Sequence, residues 1–256
     1  MSRLLLTDEH WSKLKPIMLE SDIYDKSNLR TTLEGVLYKL RVGCPWRDLP
    51  TEFGRWNSVF KRFNEWSSKA KLLDIFEAIS ADSDHEWSFI DGTIVKAHQH
   101  SAGARRECET AIGKSVAGNT TKVHMAVDSF GLPIHFEITG GQVHDSKIAP
   151  QLVAELKDVE FIVGDKGQGS ESLRIQISVQ GAIPVIPGKE KSKIGNEDID
   201  WRLYKYRHLA FNAFARLKHF RSIATRYEKT QEKLRRNGLT RLHDHVAGLI
   251  ERKVLP

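Results

Sequence analysis

Apolar positions recur at helical spacing through the first 80 residues and predict a series of helices. Segments 7–19 and 28–42 each place apolar residues three or four positions apart. Two further helices are predicted over 57–66 and 72–80. The N-terminal part of the chain is therefore predicted to be all-α.

The helix predicted over 57–66 has a polar face whose composition suits a DNA groove. This face consists of Asn57, Ser58, Lys61, Arg62 and Asn64. Gly54 lies in the turn before it, and three helices with such a turn resemble a helix-turn-helix module. The alternative is a plain helical bundle whose last helix is merely solvated.

Beyond residue 86 the period of the pattern changes to that of strands. Strands are predicted over 87–95, 122–127 and 132–138, and the turn sequence DSFG joins the last two. This arrangement predicts a meander of three antiparallel strands. The segment 97–119 has no clear period and is predicted as a mobile loop.

Helices and strands alternate after the meander and predict a mixed sheet. The predicted elements are helix 146–156, strand 159–163, helix 170–179, strand 183–186 and helix 204–225. This order gives an α/β (α+β) fold, in which helices flank a mixed five-stranded sheet and an all-α helix-turn-helix-like domain precedes it. The first and fourth strands lie side by side in such a sheet.

Asp91 is a single carboxylate within the apolar run WSFIDGTIV, residues 87–95. An unpaired charge among apolar groups is costly, so Asp91 lies at an exposed strand end, pairs with a base, or binds a metal. A turn at Asp91-Gly92 is the alternative. Asp165 follows the fourth predicted strand, and two neighbouring carboxylates favour a hard divalent ion such as Mg²⁺. Such a site can activate a water or a 3′-hydroxyl to attack a phosphodiester.

The net charge of +6 is concentrated near the C-terminal end of the chain. Residues 201–256 contain 14 Lys and Arg against 4 Asp and Glu, a net of +10, which suits a polyanion such as double-stranded DNA. No apolar run approaches the roughly 20 residues of a membrane span. Cys44 and Cys108 form no CxxC pair and are predicted to be reduced thiols. We therefore expect a cytoplasmic, nucleoid-associated protein without membrane contact.

Several histidines are further candidates for chemistry. They are His98, His100, His124, His135 and His144, and their spacing matches no zinc pattern. His144 and Asp145 either line the site or form a loop pair bonded to the backbone. Arg207 and Lys218 fall on nearly one helical face, where they hold DNA phosphates or are only solvated.

Four stretches resemble bacterial insertion-sequence transposases of the DDE type. They are FIDGTIVKAHQHS, HMAVDSFGLPIHFEITGGQVHDS, GDKG and YKYRHLAFNAFARLKHFRSIATRYEK. The N-terminal stretch LYKLRVGCPWRDLPTEFGRWNSVFKRF resembles the DNA-binding region of the same group, the insertion-sequence-five-like branch. The resemblance covers roughly residues 5 to 229. It implies an RNase H-like catalytic core.

The resemblance assigns roles to single residues. Asp91 matches the first catalytic Asp and Asp165 the second, and both would bind Mg²⁺ or Mn²⁺. The third motif of the group reads Tyr, two residues, Arg, three residues, Glu, six residues, Lys. Tyr204, Arg207 and Lys218 fall at its positions, but Phe211 occupies the place of the catalytic Glu. A second departure is Gln168, where the group usually has Tyr.

The resemblance implies four regions. They are a DNA-binding domain over 1–80, a linker over 81–86, a catalytic domain over 87–229 and a basic tail over 230–256. The implied DNA contacts are Asn57, Ser58, Lys61, Arg62, Tyr204, Arg207 and Lys218.

The implied function is that of a DNA transposase. It binds terminal inverted repeats and target DNA, forms a homo-oligomer on DNA, and carries out metal-dependent cleavage and strand transfer. We expect little activity because Phe211 cannot ligate a metal. The alternatives are an inactive DNA-binding regulator of the element and a structure-selective nuclease.

Overall fold

The computed structural model of the chain describes residues 4–80, 86–98, 101, 111–188, 196 and 199–226. The described residues within 1–82, 98–110 and 216–256 form one compact unit, and those within 83–97 and 111–215 form another. The predicted tail over 230–256, most of the predicted linker, His100 and Cys108 lie outside the described residues. None of the helices in the described part combines the length and apolar character that crossing a membrane requires.

The first unit confirms the four helices predicted near the N-terminus. These are α1 (Asp8–Glu20), α2 (Leu29–Val42), α3 (Trp56–Ser68) and α4 (Lys71–Ser80). Their apolar faces share one core, in which Leu33, Leu37 and Trp66 are almost fully buried. Residues 43–55 between α2 and α3 include the 3₁₀ turns Trp46–Asp48 and Thr51–Phe53. This connection is longer than the turn of about three or four residues in a helix-turn-helix motif.

The second unit contains a mixed sheet. Its strands are β1 (Trp87–Ala97), β2 (Gly113–Ser115), β3 (Gly118–Val127), β4 (Pro133–Gly140), β5 (Phe161–Val163) and β6 (Ile183–Val185). β3 pairs antiparallel with β1, β2 and β4, while β5 pairs parallel with β1 and with β6. The predicted meander is confirmed as β1, β3 and β4. The predicted first and fourth strands correspond to β1 and β5, and their neighbouring positions are confirmed as well.

Two helices of the second unit cover one face of this sheet. α5 (Asp145–Ala154) and α6 (Glu171–Val179) share a core with Ile90, Ala126 and Ile162 of the strands. The hairpin between β3 and β4 turns at Asp128, whose Oδ1 accepts hydrogen bonds from the backbone N–H groups of Phe130 and Leu132. This side-chain bonding explains why DSFG predicts the turn correctly.

The prediction of one long helix over 204–225 is wrong. The segment forms α7 (Trp201–Lys205), α8 (His208–Lys218) and α9 (Arg221–Ala224), followed by the two-residue strand β7 (Thr225–Arg226). Phe220 adopts an extended conformation before α9. In the first unit α9 packs against α2, where the Ser222 hydroxyl donates to the backbone oxygen of Lys39 at 3.3 Å. Tertiary packing therefore breaks the helix without a Gly or Pro to mark the break.

The prediction of a loop throughout 97–119 is also wrong in part. β2 lies within it, and β3 begins at Gly118, so the described sheet of the second unit has six strands rather than five. β2 escaped prediction because its three residues, GKS, have no apolar alternation. Cys44 is a free thiol, as predicted.

Candidate catalytic site

The parallel ladder between β1 and β5 brings Asp91 and Asp165 to neighbouring positions. Phe89 pairs with Val163. Asp91 follows Phe89 by two residues within β1, and Asp165 follows Val163 by two residues, beyond the end of β5. Asp91 lies within β1, where it pairs with Met125 of β3. The alternative of a turn at Asp91 is therefore wrong. Asp165 directly precedes the 3₁₀ turn Lys166–Gln168.

Burial is the main influence on the ionisation of Asp91. It raises the pKa of this carboxyl because the charged form loses water. The backbone N–H of Gly92, which donates to Oδ1 at 2.8 Å, and the charge of Arg207 lower the pKa in part. The carboxylates of Asp145 and Asp165 raise it further. Asp91 therefore lies among like charges and has a net raised pKa.

Arg207 lies beside these carboxylates and forms an ion pair with Asp165. The same guanidinium nitrogen donates a hydrogen bond to the Tyr204 hydroxyl at 3.4 Å. The Arg207 side chain is only 22% exposed, whereas that of Asp165 is 45% exposed. Desolvation is also the main reason why the pKa of Tyr204 is raised, and Asp165 and Asp91 add to it against the opposing effect of Arg207.

Phe211 lies one helical turn beyond Arg207, at the beginning of α8. Its ring is 52% exposed, and the Arg207 guanidinium carbon lies 5.2 Å from the ring centroid. The opposite face of α8 is buried through Ala210, Ala213 and Leu217. The helix thus presents an apolar ring, not a carboxylate, to the cation that pairs with Asp165.

Asp145 belongs to a buried polar network that reasoning from sequence did not assign. Its carboxylate accepts hydrogen bonds from Lys122 Nζ at 2.6 Å and lies 2.8 Å from His124 Nδ1. His124 is 1% exposed and also contacts Thr139 Oγ1 at 2.8 Å. Burial raises the pKa of Asp145, but the bonds with His124 and Lys122 outweigh it, so the net pKa is lowered.

This network lies directly against the strand that carries Asp91. A Cβ atom on Gly92 would lie 2.0 Å from Asp145 Oδ1, so only glycine lets the carboxylate approach the backbone there. Lys122 and His124 are two residues apart on β3 and therefore share one face. That spacing, with the His-Asp pair at 144–145, is the sequence signal that could have identified the network.

The histidine candidates that the structure describes take part in separate local contacts. His144 caps α5 by accepting a hydrogen bond from the Ser146 N–H, and His135 Nε2 lies 3.7 Å from Glu137 Oε1. His124 is held by the network with Asp145. Within the described ranges, no group of three or more His, Cys, Asp or Glu side chains could hold a metal ion. In the described part of the chain, no third side chain joins Asp91 and Asp165 in a metal-binding arrangement.

Six of the seven predicted DNA contacts fall in two places. Asn57, Ser58 and Lys61 are exposed on α3, and Arg62 is half-buried beside them. Tyr204 and Arg207 lie close to Asp165. Arg207 directly precedes α8 and Lys218 is its last residue, so their sharing of one helical face stays a prediction. Gln168, at the second departure, is buried and its Nε2 donates to the backbone oxygen of Ile90 at 3.5 Å.

Comparison with known families decides the class of the protein. The profile of a family described as "Transposase DDE domain" matches residues 82–242. The chain belongs to this DDE transposase family. A second profile, "Putative transposase of IS4/5 family", matches residues 6–76. The chain is thus a DDE-type transposase, and the chemistry of this class depends on divalent metal ions.

A relative that is named as a transposase agrees with this assignment. The "Putative transposase for insertion sequence element IS6501" of Brucella ovis is 36% identical over 113 residues, which are 43% of this chain and 85% of that protein. The uncharacterised protein y4sN of Sinorhizobium fredii is 36% identical over 104 residues, 40% of this chain and 83% of that protein.

The structural likeness concerns the fold alone. A piggyBac transposase synaptic complex with hairpin DNA aligns with a TM-score of 0.53 at 10% identity, covering 98% of this chain and 74% of that one. This likeness confirms the predicted RNase H-like fold.

Asp91→Asn should stabilise the fold near neutral pH. The raised pKa of Asp91 means that folding disfavours its ionised form. This destabilisation is fully present above the raised pKa and is absent below the ordinary pKa of the Asp91 carboxyl in the unfolded chain. The gain in free energy of unfolding should therefore shrink as the pH falls through this window. Urea unfolding with a chelator present, at neutral and acidic pH, measures it. A gain that is equal at both pH values would contradict this assignment.

Asp145→Ala should destabilise the fold, because it leaves Lys122 and His124 without the carboxylate that both contact. Breaking a buried ion pair from one side costs about 2–4 kcal/mol. Urea unfolding measures the loss. Glu155→Ala, at an exposed position just beyond α5, is the control and should change stability by less than about 0.5 kcal/mol. Equal effects of the two substitutions would show that the network carries no stability.

Proposed function

We propose that the chain recognises the terminal inverted repeats of an insertion sequence but performs metal-dependent cleavage and strand transfer only weakly. The observation that carries this proposal is the Phe211 ring beside the Arg207 guanidinium. Asp91 and Asp165 lie where neighbouring strands of the sheet would hold the first two carboxylates of a DDE site. The third position offers no oxygen ligand.

The fit between this site and a divalent ion is incomplete. Mg²⁺ or Mn²⁺ prefers oxygen ligands, which Asp91 and Asp165 provide, and the bound ion supplies activation of the attacking oxygen and stabilisation of the leaving oxygen. Arg207 already pairs with Asp165, and Phe211 cannot ligate. The residues present therefore do not fit a metal centre of three carboxylates.

DNA recognition is proposed for the polar face of α3 and for the residues near Asp165. Asn57, Ser58 and Lys61 are exposed on consecutive turns of α3 and can reach phosphates or base edges. Tyr204 supplies a hydroxyl at the second location. The two ends of an insertion sequence are equivalent inverted repeats, which suits a symmetric homo-oligomer on the DNA. Residues 1–80 are proposed to bind DNA, and residues 87–229 are proposed to form the catalytic core. Binding to DNA would associate the protein with the nucleoid.

A second candidate function is that of a DNA-binding regulator of the element that does not cut. The ion pair between Arg207 and Asp165 favours it, because that carboxylate already has a partner. A regulator of this kind should bind terminal repeats in a salt-sensitive manner without cleaving them. Gel shifts at increasing salt, with a scrambled duplex as competitor, measure this binding.

Phe211→Glu should restore catalysis. The new carboxylate completes the set of three, and we expect cleavage of a terminal-repeat duplex in Mg²⁺ to rise by about a hundredfold or more. The substrate is the inverted repeat that flanks the reading frame. Phe211→Gln is the matched control, because it adds a polar side chain of similar length without a charge and should remain as weak as the unmodified chain.

Rapid Mg²⁺-dependent turnover by the unmodified chain would overturn the proposed impairment. Equal gains from Phe211→Glu and Phe211→Gln would show that the apolar ring blocks DNA rather than that a metal ligand is missing. Adding Asp91→Asn to Phe211→Glu should abolish the restored cleavage. Retention of cleavage in that double variant would exclude Asp91 from the reaction.

A further inference from the structure

The Asp165 carboxylate has an intramolecular cationic partner. Arg207 Nη1 pairs with Asp165 Oδ1, and the charge of Arg207 also acts on Asp91. The planar guanidinium presents N–H donors that match the geometry of a carboxylate. With both aspartates ionised, the three side chains carry a formal net charge of −1.

Two aromatic rings hold this guanidinium in place. Its central carbon lies 5.5 Å from the Tyr204 ring centroid and 5.2 Å from that of Phe211. Both distances are within the range of cation–π attraction, which strengthens when the cation is partly desolvated. The backbone N–H of Arg207 also donates to the Tyr204 carbonyl at 3.2 Å, which fixes the start of the side chain.

The residue at position 211 determines what Arg207 contacts. Arg207 and Phe211 are four positions apart, the spacing at which side chains meet on a helix surface. A carboxylate at position 211 would attract the guanidinium away from Asp165, whereas the ring of Phe211 contacts it and leaves its N–H groups free to bond Asp165.

We propose that Arg207 is the resident cation of this site and that it takes the place of a divalent ion at Asp165, held there by the rings of Tyr204 and Phe211. This inference rests on the proposed function, since it gives a reason, in terms of metal binding, for the proposed weak catalysis. The presence of Phe rather than Glu at position 211 has two effects. It removes a metal ligand, and its ring holds a competing cation, Arg207, on the remaining ligand Asp165.

The competition predicts how substitutions change metal affinity. Arg207→Gln removes the positive charge and should tighten Mn²⁺ binding by about tenfold, because one fewer cation acts on the two carboxylates. Arg207→Lys keeps the charge and should bind Mn²⁺ about as weakly as the unmodified chain. Arg202→Gln, an exposed position in α7, is the matched loss of charge away from the site and should have no effect.

The measurement is a titration of the full chain, without DNA, in which electron paramagnetic resonance reports free Mn²⁺. Thermal melting confirms that each variant is folded. Should Arg207→Gln not fold, Phe211→Leu and Phe211→Tyr make the same comparison. The leucine removes the ring and should tighten Mn²⁺ binding about threefold, while the tyrosine keeps the ring and should not.

Equal Mn²⁺ affinities for Arg207→Gln and Arg202→Gln would overturn the proposal, as would equal affinities for Phe211→Leu and Phe211→Tyr where that pair is used. This outcome is distinguishable from failure of the proposed function. Rapid cleavage of terminal repeats by the unmodified chain contradicts the proposed function. Weak cleavage together with unchanged Mn²⁺ affinities contradicts only the role of Arg207.

Discussion

The register of the parallel pairing between β1 and β5 is the constraint on which the candidate site depends. Phe89 opposite Val163 fixes where Asp91 and Asp165 lie, and a slip of one residue would turn one of them to the other face of the sheet. The short strand β5 is held on both sides, by β1 and by β6. Two like charges are thereby placed together, and the site needs a cation.

The charged groups around the two aspartates come from two places in the fold. Gly92 admits the carboxylate of Asp145, which Lys122 and His124 hold beside the backbone of β1. Beyond Asp165, the start of α8 brings Arg207 to the remaining carboxylate. The network around Asp145 supports the strand, whereas Arg207 sets the charge of the site. A polar group that is buried here is stable only while its partner stays in place.

Sequence patterns predicted the strands well because apolar alternation and turn chemistry are local properties. The neighbouring positions of Asp91 and Asp165 followed from the order of elements, and the family resemblance identified Phe211. The breaks around α8 could not be predicted, because no Gly or Pro marks them. Nor could the ion pair of Arg207, since 42 residues separate it from Asp165 and helical spacing describes only near neighbours.

The most direct test of this account is anomalous diffraction at the manganese edge from crystals of the full chain grown with Mn²⁺. We expect no manganese peak between Asp91 and Asp165, and we expect the Arg207 guanidinium to lie on Asp165. In crystals of the Phe211→Glu variant, we expect a peak at that position with Arg207 turned toward the new carboxylate. A manganese ion bridging the two aspartates of the unmodified chain, with Arg207 displaced, would contradict the proposed role of Arg207.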